Sequence, residues 1–241
     1  MFLLHRVTGM AFAGGMTVFP GGGVDGRDAE IDLGWVGPEP GWWAGRFDCP
    51  EATARALVCA AVRETFEECG VLLAGPTPDT VVADTSGYHD ARGALVAREL
   101  SLAQFLARER LLLRADLVRP WSHWITPVEE PRRYDTRFFV AALPEGQLAD
   151  GVTTEAADAG WQRPSEAIAE WRNGIRALLP PTFVTLSQLD ACADVAEVLA
   201  AERDITPVMP TLVRDGDGLR VSFDGDENYL AGIGRPPRMA Q

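Results

Sequence analysis

Arg63-Glu64-Thr65-Phe66-Glu67-Glu68-Cys69-Gly70-Val71 spaces three carboxylates at i, i+3 and i+4, so a helix through it carries Glu64, Glu67 and Glu68 on one face. The residues before it favour that helix. Ala52, Ala54, Ala56, Leu57, Ala60, Ala61, Val62 and Phe66 supply helix formers and an apolar stripe. Asp48 before Pro50 reads as an N-cap region and Gly70 as the C-terminal stop, which predicts one helix from about Pro50 to Cys69. Carboxylates about 5 Å apart at an effective dielectric near 20 repel by roughly 3 kcal/mol per pair, a cost that a solvated face reduces and a divalent cation reverses. With no His or Cys among the three ligands, all-oxygen ligation selects Mg²⁺ or Mn²⁺. The plain alternative is a solvated acidic helix end. Against it, five specified residues in the order R-E-x-x-E-E-x-G arise by chance on the order of once per million positions.

Composition sets the outer bounds. The 241 residues suffice for one large core with appendages, and 46% hydrophobic with 24% charged residues is ordinary for a globular protein. A formal net charge of −13 argues against nucleic acid as a partner, since backbone binding depends on basic surface. All 22 basic residues are Arg, which suits bidentate phosphate recognition. No apolar run approaches the roughly 20 residues that span a bilayer, and no basic segment precedes an apolar core at the N-terminus, so a cytoplasmic location is expected. Cys49, Cys59, Cys69 and Cys192 form no C-x-x-C pair and are expected to be reduced.

Arg63 to Val71 resembles the second half of the Nudix box, R-E-U-x-E-E-x-G-U, the half that carries the metal ligands of Nudix hydrolases. The first half of that box asks for Gly and Glu where Cys49 and Arg55 stand. Val18-Phe19-Pro20-Gly21-Gly22-Gly23 resembles the F-P-G-G strand end that normally runs straight into the box, here separated from the helix by Val24 to Asp48. This interrupted arrangement is similar to the Nudix branch of the peroxisomal coenzyme A diphosphatases of animals and their bacterial relatives. The similarity continues in Pro120 to Pro127, Arg133 to Phe139, Trp161-Gln162-Arg163-Pro164 and Leu179 to Thr182. The resemblance implies that Glu64, Glu67 and Glu68 hold the metal, that Arg63 and Gly70 are structural, and that an acidic residue from the late region, Glu155, approaches the metal or the attacking water. The alternative for Glu155 is an exposed loop charge.

Met1 to Arg6 and Met16 to Phe19 read as strands. Phe2 to Arg6 looks like the second half of a strand pair that Nudix domains begin earlier. Residues preceding Met1 are therefore expected in the natural product, an expectation that an intact native mass equal to this chain would refute. Val24 to Asp48, with Trp35, Trp42 and Trp43, reads as a long ordered loop or lid packed on the domain. Strand pieces are expected at 71–73 and 81–83, and two helices broken near Ser101 within 90–113. Leu117 to Pro127 and Tyr134 to Leu143 read as paired strands that place Asp135 and Arg137 on one face, either as a substrate contact or as a cross-strand ion pair. Arg132 and Arg133 stand nearby, and backbone amides at Gly22 and Gly23 can approach phosphate because no Cβ intervenes. His123, like His5 and His89, lacks a second His and reads as a hydrogen-bonded core residue. Helices are expected at 164–172, 182–189 and 191–203, then two short strands around Asp215-Gly216-Asp217-Gly218, with fraying beyond Pro236.

The expected fold is α/β, a Nudix-type α/β/α sandwich with a mixed sheet, a long insert before the Nudix helix and C-terminal helical additions. One domain over residues 1–241 is expected, with inserts at 24–48 and 90–113 and an extension at 182–241. The expected activity is metal-dependent hydrolysis of a diphosphate linkage in a nucleoside diphosphate derivative, coenzyme A or acyl-coenzyme A foremost. ADP-ribose or NADH pyrophosphatase activity, and a non-catalytic nucleotide-binding module, are the alternatives. The substrate is a small molecule, no membrane partner is expected, and a homodimer is left open.

Overall fold

A computed structural model describes residues 1–9, 13–30, 33–153, 156–215 and 218–232. Its strands are β1 (Phe2–Arg6), β2 (Thr17–Val18), β3 (Trp35–Val36), β4 (Ala74–Gly75), β5 (Leu112–Arg114), β6 (Val118–Ile125), β7 (Asp135–Ala141), β8 (Ala156–Trp161), β9 (Pro207–Val208), β10 (Thr211–Asp215) and β11 (Gly218–Ser222). The helices are α1 (Pro40–Phe47), α2 (Glu51–Cys69), α3 (His89–Val96), α4 (Leu102–Glu109), α5 (Pro164–Arg172), α6 (Pro180–Asp190), α7 (Val195–Ala200) and α8 (Glu227–Gly232). Pairing is mixed. The order β2-β1-β8 is antiparallel throughout, whereas β3 with β5 and β6 with β9 pair in parallel.

The layering is legible in β1, because successive side chains on a strand point to opposite faces. Phe2 and Leu4 enter the core built on Val58, Val62 and Phe66 of α2, and Leu3 enters a second core with Ile168 and Trp171 of α5 and Phe183 and Leu186 of α6. Helices therefore cover both faces of this strand, as the sandwich expectation requires.

α2 forms where it was predicted and buries Ala54, Val58, Cys59, Val62, Phe66 and Cys69 along one stripe. Phe66 stacks on Phe105 of α4 with ring centroids 5.5 Å apart, and burial of a side chain this size contributes about 1.5–3 kcal/mol. The helix stops at Gly70 in the left-handed conformation, φ 71°. A Cβ there would also lie 3.0 Å from Arg92 Nη1 and Asp150 Oδ2, so a side chain would be strained by the backbone and crowded by both groups.

Several expectations need correction. Asp48 does not cap α2; it is the left-handed C-cap of α1, and Pro50 occupies the N-cap of α2 without a side-chain bond. The 24–48 insert is no loop, since it contains a 3-10 turn at Gly26–Ala29, β3 and α1. Its packing on the domain is as expected: Trp43 and Phe47 are buried, stack on each other, and meet Phe139 of β7 at 6.0 and 5.5 Å. The strand expected at 71–73 is displaced to β4, with the Val82 amide donating to the Ala74 carbonyl. Pro180 and Pro181 open α6 rather than precede it, because proline fits the first turn, where no amide partner is needed. The helix expected over 191–203 is only Val195–Ala200, capped by Asp194.

Other expectations hold. Ser101 splits the 90–113 segment as the N-cap of α4, in a reciprocal box with Gln104. β6 pairs antiparallel with β7, and β10 with β11. All four cysteines are free thiols. The Gly216-Asp217 turn and the fraying expected beyond Pro236 lie outside the described residues.

Candidate active site

Glu64, Glu67 and Glu68 occupy one turn near the end of α2, against the chain that leaves β2. The Gly21 amide donates to Glu68 Oε2 at 2.6 Å. A Cβ built on Gly22 would lie 2.5–2.6 Å from the Glu64 carboxylate atoms, a separation no side chain accepts. Gly22 therefore lets the backbone and a carboxylate share one place. Gly22→Ala is expected to push the Glu64 carboxylate aside and cut turnover by on the order of tenfold or more, in line with displacement of groups that position reactants. Because the obstructed atoms end a flexible side chain, the melting temperature should barely move, and steady-state rates beside a thermal melt check both.

Arg63 binds this turn together. Its Nη1 donates to Glu64 Oε1 at 2.7 Å and Glu67 Oε1 at 3.1 Å, and its Nη2 reaches the Gly23 carbonyl at 2.8 Å. The other side of the guanidinium grips Asp28 bidentately, Nε to Oδ1 at 3.0 Å and Nη2 to Oδ2 at 2.9 Å. Asp28 lies in the 3-10 turn of the insert, where its carboxylate also accepts the Asp25 amide at 2.8 Å. Burial works against the Arg63 charge, but the Asp28 hydrogen bonds and the Glu64 and Glu67 charges outweigh it and raise its pKa. Burial likewise raises the pKa of Glu67, which Arg63 only partly offsets.

Sequence reading missed Asp28, 35 residues from its partner in a segment taken for a loop. It also left Arg55 unexplained; the Arg55 guanidinium lies 5.4 Å from the centroid of Trp35, another residue of the insert. A second clamp was missed at the end of α2. Arg92, buried on α3, donates to the Glu67 carbonyl at 2.9 Å and to Asp150 Oδ2 at 2.8 Å, while the Asp150 amide donates to the Cys69 carbonyl. The helix terminus thus meets a cation, and the 150–152 segment is fixed beside it.

The remaining predicted residues are distributed as follows. Arg137 pairs with Asp135 on its own strand, and Asp135 also meets His123 Nε2 across the sheet at 2.5 Å. The ion pair is thus within β7, not cross-strand, and His123 is hydrogen-bonded as expected. Arg137 and Asp135 act electrostatically on the Cys49 thiol just before α2, whose pKa is raised mainly by burial. Phe138 of the same strand meets Phe19, two residues before Gly21, with ring centroids 6.3 Å apart, so β7 passes both the start of α2 and the chain that reaches the carboxylate turn. Arg133 donates to the Thr126 carbonyl and to Met209 Sδ, and Arg132 is exposed. Glu155 lies outside the described residues.

Among the described residues no three His, Cys, Asp or Glu side chains stand together as a ready cation cage, because Arg63 holds Glu64 and Glu67 while Gly21 holds Glu68. The donor chemistry nevertheless fits a hard divalent ion: three carboxylates in one helical turn beside glycine backbone. Among the same residues no helix is long and apolar enough to cross a membrane.

Antiparallel and mixed sheets packed with helices, with this carboxylate helix following a glycine strand end, are the arrangement of a Nudix hydrolase. A crystal structure of a NUDIX hydrolase from Alicyclobacillus acidocaldarius superposes with a TM-score of 0.63 at 25% identity, over 84% of this chain and 88% of that one. The chain belongs to the family described as the NUDT19 Nudix domain, whose model matches residues 47–189. It is 28% identical over 95% of its length to the human acyl-coenzyme A diphosphatase NUDT19, covering 72% of that protein. With the Xenopus laevis acyl-coenzyme A diphosphatase NUDT19 the identity is 24%, over 95% of this chain and 71% of the relative. The protein is accordingly a Nudix hydrolase of the coenzyme A diphosphatase-like branch.

Proposed function

We propose that the protein hydrolyses the diphosphate linkage of coenzyme A or an acyl-coenzyme A, giving a phosphopantetheine and an adenosine bisphosphate. The observation that carries this reading is the carboxylate turn braced by Arg63 against Gly21 to Gly23, in a chain related to proteins named acyl-coenzyme A diphosphatases. Glu64, Glu67 and Glu68 would hold Mg²⁺ or Mn²⁺, which, when bound, neutralises diphosphate oxygens and acidifies a water. Arg63 keeps two of those carboxylates in register with the glycine backbone. Of the two glycines proposed to approach phosphate, Gly23 leaves the backbone open to a phosphate oxygen, whereas the corresponding space at Gly22 is taken by the Glu64 carboxylate. Glu155 is proposed as the acidic residue of the late region. Arg132, Arg133, Asp135 and Arg137 are proposed as contacts to the substrate, on a strand whose Phe138 packs against Phe19 just before the glycine turn. Residues 1–241 are proposed to act as one domain.

Phosphorus NMR of reactions with coenzyme A, ADP-ribose and NADH, each with Mg²⁺ and with Mn²⁺, tests the reading. Cleavage of coenzyme A to the two named products is expected. Preferential cleavage of ADP-ribose or NADH would replace the substrate and keep the chemistry, and no cleavage of any would overturn the proposal.

A further inference from the structure

The sheet holds a tryptophan whose exposure the fold does not explain. Trp161 ends β8 with 58% of its surface open, although an aromatic ring of this size normally buries most of itself. Its ring stands edge-on to Phe2, at a centroid distance of 5.5 Å and 71° between planes. Phe2 belongs to the core of α2, so Trp161 lies on the sheet face that the carboxylate helix covers. Trp42, also exposed, differs: it lies on α1 with the Arg46 guanidinium 5.8 Å from its centroid.

Two independent paths place Trp161 near the carboxylates. Phe2 pairs with Trp161 on one side of β1, and continuing the β1–β2 register brings Pro20 level with Phe2 on the other. Two strand spacings, about 10 Å, therefore separate Trp161 from the residue just before Gly21, whose amide holds Glu68. The second path runs through the 150–152 segment. Asp150 is bonded to Cys69, next to Glu68, and a Cβ on Gly151 would lie 2.8 Å from Ala159 Cβ, two residues before Trp161 on the same face.

We propose that Trp161 is the stacking platform for the base of a nucleotide whose diphosphate lies at Glu64, Glu67 and Glu68. The proposal deepens the reading of the site given above and rests on it. A base stacks on an exposed aromatic ring whatever its edge pattern, and the span to the carboxylate turn is one that a ribose and a phosphate bridge. Trp161 also borders the cleft lined by Leu3, Asp158, Gln162, Glu166 and Arg176, on the side where Leu3 meets α5 and α6.

Calorimetric titration of the full chain in Mg²⁺ with ADP, and separately with inorganic diphosphate, decides the matter for wild type, Trp161→Ala and Trp161→Phe. ADP should bind Trp161→Ala roughly tenfold more weakly, as expected for loss of one base-stacking ring. Trp161→Phe should restore most of the affinity, and inorganic diphosphate should bind all three alike. Equal ADP affinity in wild type and Trp161→Ala, an equal loss for inorganic diphosphate, or no ADP binding by wild type would overturn the proposal. Trp161-dependent ADP binding in a protein that leaves coenzyme A uncleaved would support this subsite and overturn the substrate assignment alone.

Discussion

Glu68→Gln is expected to lower turnover by on the order of a thousandfold, the middle of the range for removing a charged group that acts on the reacting centre. The fold should survive the change. Glu68 is 7% exposed and accepts the Gly21 amide at 2.6 Å, and the carbonyl oxygen of a glutamine can accept the same bond. What disappears is the negative charge, and with it one oxygen donor for a divalent cation. A coenzyme A assay across Mg²⁺ concentrations, beside a thermal melt, reads both effects. An unchanged rate at saturating cation would remove Glu68 from the metal assignment, and a collapse of the melting temperature would show a structural role instead.

Arg63→Met should act in the opposite sense, on stability first. The guanidinium is 10% exposed and the Asp28 carboxylate 2%, so methionine would strand a buried carboxylate with no cation beside it. Breaking a buried pair by removing one partner costs about 3–5 kcal/mol. For a chain of this size that corresponds to a fall of about 10 °C in melting temperature. Adding Asp28→Asn should recover more than half of the loss, because the stranded charge, and not the missing attraction, accounts for most of it. The double variant should remain poorly active, since Glu64 and Glu67 still lack their common donor. Circular-dichroism melts of the two single variants and the double variant close the cycle, and additive losses would show that Arg63 and Asp28 are not coupled.

These two residues also show where the sequence was readable. The carboxylate helix was legible because its signals are local: i, i+3, i+4 spacing, an alanine-rich stripe and a glycine that can turn left-handed at position 70. β6, β7 and the two helices flanking Ser101 were legible for the same reason. Asp28 was not, because nothing within a few residues of Gly-Arg-Asp-Ala announces that its carboxylate crosses to residue 63. Asp48 misled because an acidic residue before proline fits a helix start and a left-handed helix end alike. Arg137 was read correctly to a strand face, yet face alone does not give position along the sheet. Its place follows only from tertiary contacts, those of Phe139 with Trp43 and Phe47 of α1 and of Phe138 with Phe19 just before the glycine turn.

The aromatic cluster behind β1 bears on where this molecule can be divided. Trp171 stacks on Tyr229 of α8 at 5.3 Å and 11°, Phe183 meets the same ring at 5.4 Å, and the Tyr229 hydroxyl donates to the Leu178 carbonyl. The match to the family model ends at residue 189, and a cut placed there would pass through a filled space and leave two large rings facing water. The stretch that the family model spans is therefore shorter than the unit that closes its own interior, and residues 223–229 are better regarded as the last course of masonry than as a tail.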